Sequence, residues 1–145
     1  LSHTDFHPHR LASTYMAYMN MEGDKVIGVK EKEPYTDNHW KEPASTGTYY
    51  FRTGKMVKKY FKECMDKNIN YNNEFYVTLV YNLLIQDGLN IGVYDTEYVT
   101  VFGTPGELVN FEAWCTILKG LQVNNEEDLI DCYRYWRDYH GTNIT

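Results

Sequence analysis

Two consecutive stretches repeat their apolar residues at helical spacing, and between them they restrict what the chain can fold into. In the first, Met56, Val57, Tyr60, Phe61, Cys64 and Met65 share one side while lysines fill the other. In the second, Phe75, Tyr76, Leu79, Val80, Leu83 and Leu84 do the same. A pair of amphipathic helices must bury both stripes against something, and the preceding residues supply a sheet. Thr14 to Met19 and Lys25 to Glu31 are β-branched, aromatic or alternating, and Glu22-Gly23-Asp24 between them is turn-like, so two strands joined by a short turn are expected. A third strand is expected at Thr46 to Phe51. From Pro34 to Pro43 neither period is visible, which predicts an exposed loop.

Downstream, Gly88 stands where a helix commonly ends in a left-handed residue, and Leu89 to Tyr94 alternates like a strand. Thr104-Pro105 is a helix start: the hydroxyl can accept an orphan N–H, and the fixed φ of proline suits the first helical position. The helix that follows is expected to bury Leu108, Phe111, Cys115 and Leu118. Another begins near Asn124 or Asn125 and presents Leu129, Cys132, Tyr133 and Trp136, with Glu126, Glu127 and Asp128 complementing its dipole. Strands first and alternating helices later predict an α/β or α+β chain with a mixed sheet.

At 145 residues, 43% hydrophobic and 16% aromatic, the chain has material for one compact domain. A formal net charge of −6 without any basic stripe argues against a nucleic-acid partner. No stretch approaches the ~20 apolar residues needed to span a bilayer, and the opening Leu1 to Leu11 is polar and irregular. These features predict a soluble, cytoplasmic protein. Cys64, Cys115 and Cys132 are widely spaced among apolar neighbours and read as buried free thiols. The dinucleotide and triphosphate glycine loops, the serine nucleophile elbow, paired-cysteine motifs and the His-Glu-x-x-His zinc motif are all absent. His3, His7 and His9 with Asp5 could in principle gather a metal, but Pro8 restricts their convergence and a polar terminal segment accounts for them. Asn143-Ile144-Thr145 fits a glycosylation pattern without a secretory signal to support it and is set aside.

Three patterns in order carry a family resemblance: Glu31-Lys32-Glu33-Pro34 at a strand end, Ser45-Thr46-Gly47 opening the next segment, and Gly103-Thr104-Pro105 starting a helix. With Phe6 to Arg10, Ser13 to Tyr15 and Asn73 to Asn82, they make the span Phe6 to Trp114 resemble the sugar-binding half of the sugar-phosphate nucleotidyltransferases, also called nucleoside-diphosphate-sugar pyrophosphorylases. The likeness is to a bacterial branch met in surface-polysaccharide pathways. The glycine-rich loop of the family's nucleotide-binding half has no counterpart here. The resemblance therefore implies a partial three-layer, Rossmann-like nucleotidyltransferase fold with a mixed sheet and its N-terminal nucleotide-binding half missing. It assigns 1–120 to the sugar-binding part and leaves 121–145 as an additional C-terminal helix.

The implied chemistry is attack by a sugar phosphate on the α-phosphorus of a nucleoside triphosphate with release of pyrophosphate, driven by positioning and by neutralising negative charge. Lys32 matches the family's cation beside the sugar phosphate. Glu31 matches the carboxylate that accepts sugar hydroxyls. Ser45, Thr46 and Gly47 match the turn that lies against the sugar, where small side chains permit close approach. Thr14 and Glu74 fall near further substrate contacts, although Thr14 also suits a plain strand position and Glu74 a helix start. The resemblance implies magnesium in the full-length enzyme, yet Val101 occupies the place of the usual aspartate ligand, and a valine cannot hold a hard cation. Either another carboxylate such as Asp95 or Glu97 substitutes, or the metal is held by the missing half and the triphosphate, or activity has been lost. The expected partners are a sugar phosphate, a nucleoside triphosphate and the missing half, with a homo-oligomer open. The isolated 145 residues are expected to be inactive. A non-catalytic carbohydrate-binding or regulatory module derived from the same fold is the alternative, and a plain assembly domain a third reading.

Overall fold

The computed structural model of the chain describes residues 1–4, 16–96, 99, 103–109 and 111–112. Expectations for Thr14, Glu97, Val101, Cys115, Cys132, His7, His9 and the segment 121–145 fall outside them. The chain divides into two compact units, one of residues 1–4 and 14–97, the other of 5–13 and 98–145.

The first unit is α/β. Four strands, β1 (Ser2–His3), β2 (Ala17–Glu22), β3 (Lys25–Glu31) and β4 (Ala44–Ser45), form a sheet in the order β1-β4-β2-β3. All pairs are antiparallel, and the parallel element is a single bridge between Ser2 and Asp95. β2 and β3 make the expected hairpin, closed by the two-residue loop Gly23-Asp24 with Gly23 at φ +58°. The register slips between Asn20 and Met21, which leaves Ile27 as an extra, exposed residue in β3.

Two helices follow, α1 (Gly54–Asp66) and α2 (Val77–Gln86). Thr53 caps α1 by accepting the Met56 N–H at 3.2 Å. Gly88, at φ +74°, closes α2 as expected. α2 is apolar on two sides and lies between the other layers. Val80, Leu83 and Leu84 pack with Tyr60 and Cys64 of α1, while Tyr81 and Ile85 pack on Ala17, Val26 and Val29 of the sheet. Asn82 locks the second contact: its amide accepts the Val29 N–H (2.9 Å) and donates to the Val29 carbonyl (2.8 Å), pairing with β3 as a neighbouring strand would.

The sequence-based expectations fail at several places. The strand expected at Thr46 to Phe51 does not form, and β4 is only Ala44–Ser45. Gly47 turns left-handed at φ +82°, its N–H returns to Ser45 Oγ (3.1 Å), and Thr46 bonds the Leu1 carbonyl. The aromatics beyond leave the sheet altogether, Phe51 stacking on Tyr81 at 5.0 Å and meeting Phe61 at 5.7 Å. Nor is Pro34 to Pro43 a free loop. It contains a 3-10 turn, His39–Lys41, and the buried Glu42 carboxylate accepts the Tyr35 and Thr36 N–H groups and the Thr36 hydroxyl. Leu89 to Tyr94 runs alongside the sheet through isolated backbone bonds, Val26 N to Ile91 O and Ser2 N to Tyr94 O, without becoming a strand. Met65 is exposed, and so is Phe75, because α2 begins only at Val77 and the helical period does not extend back to it. Cys64 is buried and free, with its thiol donating to the Ile69 carbonyl and pushed up by burial.

In the second unit the helix start at Thr104 is as expected. Thr104 Oγ1 accepts the Glu107 N–H and Glu107 Oε2 accepts the Thr104 N–H at 2.7 Å, a reciprocal capping box. Leu108 and Phe111, expected to be buried, are exposed. Among the described residues no helix is long and apolar enough to cross a membrane.

Candidate functional site

Strand register decides which of the candidate residues can act together. Glu31 stands opposite Ala17, Ser45 opposite Ser2, and the Tyr18–Ala44 pair brings Ala17 alongside Ser45. Glu31, Ala17 and Ser45 are thus one row across the sheet, and neighbours in a row project to the same face. Two strand spacings put the Glu31 and Ser45 backbones about 10 Å apart. Their face is the one covered by α2.

Glu31, at 7% exposure, is the buried carboxylate of this row. The Thr78 hydroxyl in the first turn of α2 donates to its Oε2 at 2.5 Å. Burial drives its carboxyl above the usual range, and the Thr78 bond and the neighbouring Lys32 charge oppose that shift. On the other side of the row, Ser45 Oγ donates to the Tyr49 hydroxyl at 3.1 Å. Tyr49 is itself pushed up, chiefly by burial and in part by the charge of Glu31.

A cavity of about 500 Å³ lies against this face. Ser45, Thr48, Tyr49, Thr78 and Tyr81 line it, together with Asn90 to Tyr94, over a floor of Met19, Val26 and Val29. Its size, apolar walls and few convergent hydroxyls suit a small polar organic molecule. Of the expected sugar-side turn, Ser45 lines the cavity. Thr46 instead turns its N–H and hydroxyl to the Leu1 carbonyl, and Gly47 supplies the left-handed bend without lining the cavity.

Lys32 ends β3 in the left-handed region, φ +58°, with its N–H on the Met16 carbonyl at 2.8 Å. For a residue with a Cβ this backbone costs energy, and such residues concentrate at functional sites. The turn breaks the strand's alternation and sends the side chain toward the segment before α2. Its Nζ donates to the Tyr76 hydroxyl at 2.5 Å and lies 4.7 Å from the Tyr76 ring centroid and 5.7 Å from that of Tyr71. Tyr76 donates in turn to Glu74 Oε2, which stands 3.9 Å from the ammonium. The Tyr76 bond, foremost, holds the Lys32 ammonium above the ordinary lysine range. Glu74 precedes α2 instead of opening it, so its carboxylate serves Tyr76 and Lys32 and not the helix dipole.

Residue type alone does not single out Thr78, Tyr76, Tyr49 and Asn82. A signal existed for two of them: Thr78 and Asn82 are polar at i and i+4 in an otherwise apolar helix, and buried polar groups need partners. The described residues do not form the metal set that the resemblance implies. None of them gather three acidic, histidine or cysteine side chains, and Asp95 Oδ1 accepts the Ser2 hydroxyl at 2.9 Å and the Thr4 hydroxyl at 3.2 Å.

Comparison with known proteins agrees with this geometry at the level of fold. No family model matches the chain, and no curated protein does. A solved structure, that of the nucleoside-diphosphate-sugar pyrophosphorylase from Vibrio cholerae RC9, is similar with a TM-score of 0.56 and 29% sequence identity over 68% of this chain. The chain spans 41% of that protein's length. The α/β architecture is thus compatible with a partial nucleotidyltransferase-like fold and is similar to part of a nucleoside-diphosphate-sugar pyrophosphorylase.

Proposed function

We propose that the chain supplies the acceptor-binding side of a nucleotidyltransferase that joins a nucleoside triphosphate to a sugar phosphate, or a related phosphorylated head group, and releases pyrophosphate. The observation that carries this reading is the convergence at the end of β3. A buried carboxylate, Glu31, accepts from Thr78, which lines a ligand-sized cavity together with Ser45 of the same sheet row, and a strained lysine follows it directly. The 29% identical pyrophosphorylase supports the reaction class.

Each group has a task in that chemistry. Glu31, with Oε2 already held by Thr78, keeps its other oxygen for a sugar hydroxyl. Lys32 has one of its three donors on Tyr76 and two left for a phosphate, whose negative charge it offsets as the acceptor approaches the α-phosphorus. Ser45 and Tyr49 wall the sugar side. Nucleotide binding, and any magnesium, would come from outside this set. A role in surface-polysaccharide synthesis is the biological setting we propose, on the resemblance of the Asn73 to Asn82 segment.

The test is a pyrophosphate-release screen of the intact protein over nucleoside triphosphates and sugar 1-phosphates, with Lys32→Ala alongside. Loss of one fixed charge-assisted contact in a phosphoryl transfer predicts a fall of kcat/KM by about 10² to 10³, with the fold preserved. Full turnover in Lys32→Ala removes the lysine from the mechanism. Val101, in place of the expected aspartate, favours a second reading, a sugar-phosphate-binding module without turnover. That reading predicts binding of sugar phosphates and no pyrophosphate under any nucleotide, and detection of a nucleotide-sugar product excludes it.

A further inference from the structure

The segment between the helices is built as a tight device. Tyr71 and Glu74 exchange backbone bonds, Tyr71 N to Glu74 O at 2.9 Å and Glu74 N to Tyr71 O at 3.0 Å. Asn72 and Asn73 between them both sit left-handed, at φ +51° and +64°. Two successive positive φ values within a two-residue loop are the signature of a primed turn, which asparagine tolerates better than other residues with a side chain. The turn fixes Tyr71 and Glu74 relative to one another, and Tyr76 follows at the N-cap of α2, whose attachment to β3 is locked by Asn82 and Thr78. Everything that touches the Lys32 ammonium is therefore mounted on one rigid support.

The order of contacts within that support matters. Tyr76 accepts from Lys32 and donates to Glu74, so its hydroxyl stands between cation and anion, and Glu74 remains at 3.9 Å. A direct ion pair would consume donors and neutralise the charge that a phosphate needs. An interposed hydroxyl orients the ammonium while leaving two of its protons uncommitted. We infer that Tyr76, set by the Tyr71–Glu74 turn, is a positioning residue that holds the Lys32 ammonium ready for a phosphate and keeps Glu74 from pairing with it directly. The inference rests on the nucleotidyltransferase reading and adds to it the residue that decides how available the cation is.

The experiment follows Lys32 itself. Its side chain is observed by NMR through the labelled Cε in the 145-residue chain, as wild type, Tyr76→Phe, Glu74→Gln and Lys32→Ala, across a pH titration and an inorganic phosphate titration. The groups facing the ammonium are Tyr76, Tyr71, Glu74 and Glu31. Tyr76→Phe keeps the ring but removes the hydroxyl, so Glu74 closes on the ammonium and phosphate binds about tenfold more weakly, the scale of one hydrogen bond to a charged group. Glu74→Gln, at a side chain 68% exposed where the fold is not at risk, removes the competing anion, and phosphate binds more tightly. Opposite signs for the two variants distinguish positioning from a structural role, which would weaken binding in both. A Tyr76→Phe chain with unchanged Lys32 titration and unchanged phosphate affinity overturns this inference alone. Lys32→Ala binding phosphate as well as wild type overturns the nucleotidyltransferase reading beneath it.

Discussion

Replacing Thr78 by valine keeps the shape of the side chain and removes its hydroxyl hydrogen bond to the Glu31 carboxylate. Glu31 is 7% exposed, so water does not readily take the place of the lost donor. A hydrogen bond to a charged group contributes about 1.5 to 3 kcal/mol, and the variant should lose about 2 kcal/mol of folding stability near neutral pH. The sign with pH follows from linkage. Burial raises the folded-state Glu31 carboxyl above its unfolded value, so the native state binds more protons between the two, and this group's contribution to stability falls as pH rises through that window. Thr78→Val raises the folded value further. Its cost should therefore be larger at the higher pH and shrink as acidification protonates the carboxyl. Urea denaturation of wild type, Thr78→Val, Glu31→Gln and the double variant, each at pH 7.5 and near pH 4.5, measures this. Glu31→Gln alone should hold or gain stability at pH 7.5 while losing sugar-phosphate binding. A Thr78→Val cost below about 0.5 kcal/mol, or one equal at the two pH values and unchanged in the Glu31→Gln background, refutes the coupling.

Asn82→Ala leaves both the N–H and carbonyl of Val29 without their side-chain partner, which should cost about 2 kcal/mol and speed hydrogen exchange at the Val29 amide more than in α1. Gly47→Ala meets no atom within 4 Å but must hold φ +82°, so it should cost about 1 to 2 kcal/mol from backbone strain alone, read as a lowered urea midpoint without displaced core signals. With Cys115 and Cys132 replaced by serine, Cys64 should react with a thiol reagent only at the rate of opening, since its thiol is buried and pushed up; rapid labelling of the folded chain would contradict its place between the helices.

The residues that were legible in advance share one property: their signal is local. The hairpin is written in the alternation of Lys25 to Glu31 and the Gly23 turn, α1 in its lysine and apolar faces, the end of α2 in Gly88, and the helix start after Thr104 in the Thr104-Pro105 pair. The ordered Glu31-Lys32, Ser45 to Gly47 and Gly103-Thr104-Pro105 patterns pointed to the sugar-nucleotide pyrophosphorylases before any coordinates, and the neighbouring fold agrees.

Tertiary structure decided whatever depends on groups distant in the chain. Thr46 to Phe51 has strand-forming residues, yet the left-handed Gly47 and the gap beside Tyr81 and Phe61 draw Phe51 out of the sheet, because packing its ring there outweighs its β propensity. Glu42, apparently a loop charge, is buried because three donors converge on it. The site obeys the same logic. Sequence named Glu31 and Lys32, but only folding brought Thr78 to the carboxylate across 47 residues and Tyr76 to the ammonium across 44, since hydrogen bonds are set by distance in space and carry no periodicity along the chain.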